Sequence, residues 1–380
     1  MKSTPSILIL TAQYGTGHLQ VAKTVHDSFK EKDGHLVHQC DLYEESYPAM
    51  SIITQQIFQK SFTKVGAPIY KMFYYGTDRL SKKGLSYLYQ HLGKQRMKEL
   101  MQTINPNLVL TTFPLHAPNA LTKQPWCKTQ TATIITDYCL HPLWIHQNIS
   151  RYFVASKEVE DKLLMSGIKK NKITISGIPV REAFLQPVCK EEVYRRFNLD
   201  SSKQTVLLVA GALGVAQDIP TLVRELAMIP TIQLIVVCGK NKFLQETIQH
   251  SYKNSHVNIF GYVEEMHLLL EVADIFITKP GGVTITEAAI KRTPLIFFKP
   301  TPGQEKENAM YFVQKGAAFI AQTNKDILDY TTYLLHHPIA RIKMKESLGE
   351  IAKPNAAYRI KEEIKQLARQ DRTIQARRVL

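Results

Sequence analysis

A chain of 380 residues and 43.3 kDa, 44% hydrophobic and 21% charged, is long enough for two globular domains and too apolar for global disorder. Its 48 Lys and Arg against 33 Asp and Glu leave a net charge of +15, which points to a polyanionic partner: nucleic acid, an acidic lipid surface or a phosphorylated substrate. No apolar run approaches the ~18 residues of a membrane span, the first apolar stretch is too short for an export signal, and five scattered cysteines without Cys-x-x-Cys argue against a disulfide framework or structural zinc.

Along the chain, short β-branched runs alternate with longer amphipathic ones, the pattern of βα units around parallel sheets. Ile7–Thr11, Leu36–Cys40, Leu108–Thr112, Thr133–Thr136 and Tyr152–Ala155 read as a first series of strands, with helices at Leu19–Lys32 and Lys157–Met165. Val206–Ala210, Gln233–Val237, Val257–Phe260, Ile275–Thr278, Leu295–Phe298 and Ala318–Ala321 form a second series, with helices at Glu264–Val272 and Thr284–Lys291. Two such series predict an α/β chain of two doubly wound domains, residues 1–178 and 204–355, joined by a charged linker at 179–203 that holds Pro179 and Pro187. The end of the chain, 356–380, places Ile360, Ile364, Leu367 and Ile374 at helical spacing and predicts a final amphipathic helix that can fold back on the first domain.

The segment Ser46 to Lys98 breaks this rhythm. It carries nine basic residues, among them Lys64, Lys71, Lys82 and Lys83, against the single acid Asp78, with aromatics such as Tyr74 and Tyr75 between them. That mixture suits an anionic lipid surface. It also suits single-stranded nucleic acid. An ordinary helical insert with a solvated basic face is the plain alternative.

Candidate sites fall where strands end. Gly15-Thr16-Gly17-His18 lies between the first strand and first helix. A dinucleotide fingerprint would need glycine where Gln20 stands, and a P-loop would need Gly-Lys-Ser/Thr. The remaining readings are a histidine at a helix start with no chemistry, or His18 as a general base. In the second series, Lys279-Pro280-Gly281-Gly282-Val283-Thr284 opens a helix after a strand, a place for phosphate oxygens, and Glu287 can accept ribose hydroxyls one to two turns later. Gln304, Glu305 and Asn308 can bond sugar hydroxyls, Gly211 and Gly214 can admit a diphosphate, and Tyr262 and Val263 can present backbone groups to a base. Asp137, His141 and His146 follow a first-series strand. Their spacing matches no familiar metal site, so placing an acceptor, with Trp144, is the preferred reading. There is no Asp-x-Asp to hold a diphosphate through a cation, and no nucleic-acid recognition motif.

At these residues the chain resembles the bacterial processive diacylglycerol β-glucosyltransferases. More distantly it is similar to plant monogalactosyldiacylglycerol synthases and to the N-acetylglucosaminyltransferase that completes lipid II. The resemblance rests on Leu8-Ile9-Leu10-Thr11-Ala12 with Tyr14-Gly15-x-Gly17-His18, Tyr74-Tyr75-Gly76-x-Asp78, Thr136-Asp137 with His141 and Trp144-x-His146, and Val237-Cys238-Gly239-Lys240-Asn241. It continues through Thr278-Lys279-Pro280-Gly281-Gly282 and Pro302-Gly303-Gln304-Glu305-Lys306-Glu307-Asn308. His116 and the run Lys123–Lys128 carry no expectation from it, and the basic tail ending Arg377-Arg378 is unusual for it.

The resemblance implies a GT-B fold of two Rossmann-like domains facing across a cleft, the first for lipid and the second for sugar nucleotide. It implies transfer of glucose from UDP-glucose to diacylglycerol with inversion, repeated on the product to give membrane glycolipids and the lipoteichoic acid anchor. No cofactor or metal is implied, and the place of action is the cytoplasmic face of the membrane, bound peripherally through anionic lipid. On this reading His18 or Asp137 is the base. Gly17, Gly211, Gly214, Tyr262, Val263, Gly281, Gly282, Thr284, Glu287, Gln304, Glu305 and Asn308 bind the donor. Lys64, Lys71, Tyr74, Tyr75, Lys82, Lys83, His141 and Trp144 face the acceptor and membrane. A UDP-galactose-dependent synthase and a non-catalytic sensor of sugar nucleotide are the rival readings.

Overall fold

A computed structural model describes residues 5–13, 15–29, 35–46, 93–121, 129–210, 219–252 and 256–376. The expectations for Lys64, Lys71, Tyr74, Tyr75, Lys82, Lys83, Gly211 and Gly214 lie outside the described residues. The chain divides into two compact units, Met1–Arg181 with Lys353–Leu380, and Glu182–Ala352.

The first unit is built on a parallel sheet of β1 (Ser6–Thr11), β2 (Leu36–Asp41), β3 (Leu108–Thr111), β4 (Gln130–Ile134), β5 (Arg151–Val154) and β6 (Ile173–Ile175), in the order β2-β1-β3-β4-β5-β6. The second holds β7 (Gln204–Val209), β8 (Ile232–Val237), β9 (Val257–Phe260), β10 (Ile275–Thr278), β11 (Leu295–Phe298) and β12 (Ala318–Ala321), in the order β12-β11-β10-β7-β8-β9. A parallel sheet has helices on both faces, so its central strands are apolar throughout. Ile7, Leu8, Ile9 and Leu10 accordingly have no exposed surface, nor do Ile275, Phe276 and Ile277. Winding reverses between β1 and β3 in the first sheet, and between β7 and β10 in the second. At such a reversal the loops leaving the strand ends open a crevice.

Three expectations need correction. β4 begins at Gln130, ahead of the Thr133–Thr136 run, because β3 offers partners from Leu108 onward, in register with Gln130. β6, three residues at a sheet edge, was not anticipated; it is too short to stand out in the pattern. The stretch 179–203 is not a spacer. It folds into a 3-10 turn Glu182–Phe184 and a helix Lys190–Arg196, with Phe184 and Val193 buried in the second unit.

The chain re-enters the first unit at Lys353, and the helix Ala356–Ala376 packs on the helix Thr16–Ser28. Ile360, Ile364 and Ala368 supply the buried face, the Lys361 ammonium donates to the Ser28 carbonyl at 3.0 Å, and Glu363 accepts from the Thr174 hydroxyl at 2.8 Å. Gly177 makes the re-entry possible. Its φ is +84°, a left-handed conformation, and a Cβ there would overlap the Cβ of Lys353. Gly177→Ala therefore lowers stability by about 1–3 kcal/mol, from overpacking as well as backbone strain. Urea denaturation followed by circular dichroism checks this, and an unchanged midpoint would contradict it.

Candidate active site

In the first unit the site grows from the reversal between β1 and β3. The chain leaving β1 turns at Gly15, at φ 103° and exposed, and enters the helix Thr16–Ser28, whose start carries no side-chain cap. Gly17 and His18 occupy the first turn of that helix. His18 Nδ1 lies 2.8 Å from the carbonyl of Thr112, the residue after β3, so the imidazole bridges the reversal. A carbonyl oxygen only accepts, so Nδ1 holds the hydrogen and Nε2 the lone pair. The Thr136 hydroxyl stands 2.9 Å from the same Nδ1, and the Thr112 hydroxyl donates to the His18 carbonyl at 3.1 Å. Phe113 meets the ring edge-on at 5.1 Å between centroids, and the Trp144 indole lies 6.2 Å away. Desolvation holds the His18 imidazole below its ordinary 6.5, while the buried Asp137 carboxylate and the Thr112 carbonyl pull it upward. The result is a neutral imidazole of fixed tautomer beside a carboxylate, which is what a general base needs.

The residues after Asp137 differ from expectation. Trp144 is 6% exposed, packed with Ile135, Ile149 and Tyr152. Its place beside Tyr152 follows from the Tyr152 hydroxyl, which accepts from the His146 N–H at 2.7 Å and donates to the His146 carbonyl at 2.9 Å. His141 caps the 3-10 turn Pro142–Trp144, its Nδ1 accepting from the Leu143 N–H at 3.2 Å. His146 Nδ1 accepts likewise from the Asn148 N–H at 3.2 Å. These nitrogens are committed to backbone, and among the described residues no three His, Cys, Asp or Glu gather as metal ligands would.

In the second unit the site grows from β10 and β11. After β10 the chain runs through Lys279-Pro280-Gly281 into the helix Gly282–Lys291. The first helical bond is Ile285 N–H to Gly281 O at 3.0 Å, so the N–H groups of Gly282, Val283 and Thr284 precede it, and no side chain caps the start. Such a start favours an anion. Gly281 is exposed, and a methyl group on its Cα would meet nothing closer than the Thr284 hydroxyl at 4.0 Å. Glu287 lies on the same helix and is buried.

The loop after β11 is tied to this one from both sides. The Lys279 ammonium donates to the Lys299 carbonyl and lies 3.9 Å from Glu305, and the Asn308 amide donates to the Pro280 carbonyl at 3.2 Å. Burial lowers the Lys279 pKa, against the raising effect of Glu305. Lys299 adopts φ 42°, a left-handed conformation that costs a side-chain-bearing residue about 1–2 kcal/mol, and the bond to its carbonyl holds it there.

Sequence reasoning gave Glu305 and Asn308 to sugar hydroxyls. Here Glu305 accepts from the Thr301 N–H at 2.7 Å, and Asn308 is buried against Pro280, so both shape the loop. Gln304, at the start of the helix Gln304–Gln314, is half-buried beside them. Tyr262, 69% exposed, and Val263 follow β9, which β7 and β8 separate from β10, a distance of about 14 Å at three strand spacings. The structure thus gathers His18, Thr112, Thr136, Asp137 and Trp144 in one unit, and Lys279 to Glu287 with Lys299 to Asn308 in the other. Thr112 was missed as a functional candidate, and Thr136, His116 and Lys279 were named in the sequence without a role of their own. Only the strand order, which sequence periodicity does not report, would have singled out Thr112.

Comparisons with known proteins agree with this architecture. Residues 18–180 match the family model of monogalactosyldiacylglycerol (MGDG) synthase, and residues 205–367 that of the glycosyltransferase family 28 C-terminal domain. The processive diacylglycerol beta-glucosyltransferase of Bacillus cytotoxicus is 40% identical over 362 residues, 95% of this chain and 93% of its own. Among solved structures, UDP-GlcNAc 2-epimerase from Neisseria meningitidis bound to UDP-GlcNAc aligns with a TM-score of 0.63 at 16% identity, over 95% of this chain and 100% of that one. MurG of Acinetobacter baumannii aligns with a TM-score of 0.62 at 14% identity, over 95% and 99%. At those identities the solved structures establish the fold, a GT-B type pair of Rossmann-like units. The 40% identity across nearly the whole chain establishes more: the chain belongs to the processive diacylglycerol β-glucosyltransferase family.

Proposed function

We propose that this enzyme transfers glucose from UDP-glucose to the hydroxyl of 1,2-diacylglycerol with inversion, and then to its own glucosylated product. It acts while bound peripherally to anionic lipid at the cytoplasmic face of the membrane. The observation that carries the chemistry is the His18 imidazole, whose Nδ1–H rests on the Thr112 carbonyl beside the Asp137 carboxylate. His18 Nε2 takes the proton from the acceptor hydroxyl as its oxygen attacks the anomeric carbon. The bond from that carbon to the diphosphate breaks on the opposite face, and Asp137 stabilises the imidazolium that forms. Negative charge grows on the departing UDP, where the open N–H groups of Gly282, Val283 and Thr284 supply positive dipole without a metal. Glu287 accepts from the ribose, Gln304 from the sugar, and Tyr262 with Val263 borders the base. The match of residues 18–180 to the galactolipid synthase model favours UDP-galactose as the second reading.

Purified enzyme given labelled UDP-glucose or UDP-galactose, with diacylglycerol in liposomes with and without anionic lipid, tests this. Glucosyl and diglucosyl lipid, formed faster on anionic vesicles, are expected. Galactolipid alone would establish the second reading, and UDP-sugar binding without UDP release would remove the catalytic one. His18→Ala should cost about 10²–10⁴-fold in turnover while donor affinity survives; full turnover would transfer the base to Asp137. Because the base must be neutral, kcat/KM falls as pH drops through the His18 midpoint, below 6.5. Asp137→Asn removes an upward pull, so that acid limb moves to still lower pH, and a limb moving upward would contradict the assignment. Gly281→Ala, at φ −71° with open space for the methyl, leaves Tm unchanged yet raises donor KM by about tenfold. Glu287→Ala likewise weakens donor affinity more than it lowers kcat. Calorimetric titration with UDP reads both variants, and wild-type affinity in either discards that contact.

A further inference from the structure

One short segment after β3 reaches the base three times. Thr112 gives its carbonyl to Nδ1, and Phe113 stands edge-on to the ring. The third reach is indirect. His116, 8% exposed, donates from Nε2 to the Leu143 carbonyl at 2.9 Å, and Leu143 is the middle residue of the turn Pro142–Trp144. The indole at the end of that turn lies beside the His18 ring, 6.2 Å between centroids and tilted by 46°. Tyr152 secures the far end of the turn through His146, and His141 caps its start. His116 is the tie that comes from the segment carrying the base's own partner.

We propose that His116 is a positioning residue: by holding the Leu143 carbonyl it fixes the turn Pro142–Trp144 and keeps the Trp144 indole beside His18. This rests on the reading of His18 as the base. An imidazole Nε2–H donates whether the ring is neutral or charged, so the tie persists as His116 titrates. Burial also pushes His116 below its ordinary value, against the raising effect of Leu143, which keeps it neutral at working pH. Among the described residues, the titratable groups around the arrangement include Asp137 beside His18, Tyr43 against Phe113, Tyr152 at the Trp144 carbonyl, His146 facing His116 at 6.0 Å between centroids, and His141 on the turn. None of them is altered by the variants below.

If the indole leaves, water reaches the imidazole and its desolvation is relieved, so the His18 midpoint rises toward 6.5. Histidine-ring NMR titration of the full chain reads this directly, with His18→Gln assigning the His18 signal. His116→Ala should raise the midpoint and lower kcat by about 10²-fold with donor KM unchanged. His116→Gln, whose amide can donate to the same carbonyl, should keep midpoint and kcat near wild type. Trp144→Leu, with His116 intact, should raise the midpoint in the same way, and it carries the test if His116→Ala does not fold. An unmoved midpoint in His116→Ala or Trp144→Leu, or a His116→Gln enzyme as impaired as His116→Ala, overturns the proposal. The midpoint is measured without turnover. A His18→Ala enzyme that keeps its rate would thus remove the base reading and leave the placing of Trp144 beside His18 to the titration alone.

Discussion

Where the winding of a parallel sheet reverses, the loops from two neighbouring strands leave toward opposite faces, and backbone groups at the strand ends stay open to a ligand. Each unit contains one such reversal: His18 and Thr112 hang on the first, and Lys279 to Glu287 follow a strand of the second. In the first unit a side chain from the β1 exit meets a carbonyl from the β3 exit, and the pairing decides which imidazole nitrogen is basic. In the second an uncapped helix start follows β10, and the loop from β11 is fastened to it.

The two sites solve different electrostatic problems with the same materials. In the proposed function a base must be neutral before the reaction and bear charge after it, and His18 is buried beside aromatic rings, where desolvation opposes charge, and beside a buried carboxylate that favours it. A leaving diphosphate is anionic throughout, and it needs dipoles fixed in advance rather than a group that titrates. The crossed ties Lys279 to Lys299 and Asn308 to Pro280 hold those dipoles in one arrangement, including a left-handed Lys299 that would not persist unaided. Glu305, Asn308, His141, His116 and Tyr152 all bond backbone groups.

The charge of +15 divides unevenly. Residues 1–150 hold 15 basic and nine acidic side chains, and the segment Ser46 to Lys98, with nine basic residues against one acid, more than accounts for that excess. Lys and Arg near an anionic leaflet contribute about 1 kcal/mol each, so several together suffice for peripheral attachment. No described helix is long and apolar enough to cross a membrane. In the proposed function this charge serves as a membrane address rather than a nucleic-acid footprint.

The strands were legible because a buried parallel strand is a run of apolar residues whatever surrounds it. Ile275–Thr278, Leu295–Phe298 and Ala318–Ala321 stand where the sequence put them. His18 and the Gly281-Gly282 turn were legible because glycine before a helix, after a strand, has few other uses. β6 and the start of β4 were not, since edge pairing and register are set by neighbours distant in sequence. For the same reason the sequence did not report that Trp144 is buried or that Glu305 and Asn308 bond backbone groups of their own loops. Residue type and local spacing determined which groups were available for chemistry. The strand order alone, by bringing Thr112 to His18 across 94 positions of chain and His116 to Leu143 across 27, decided which were free to perform it and which were used to hold the others.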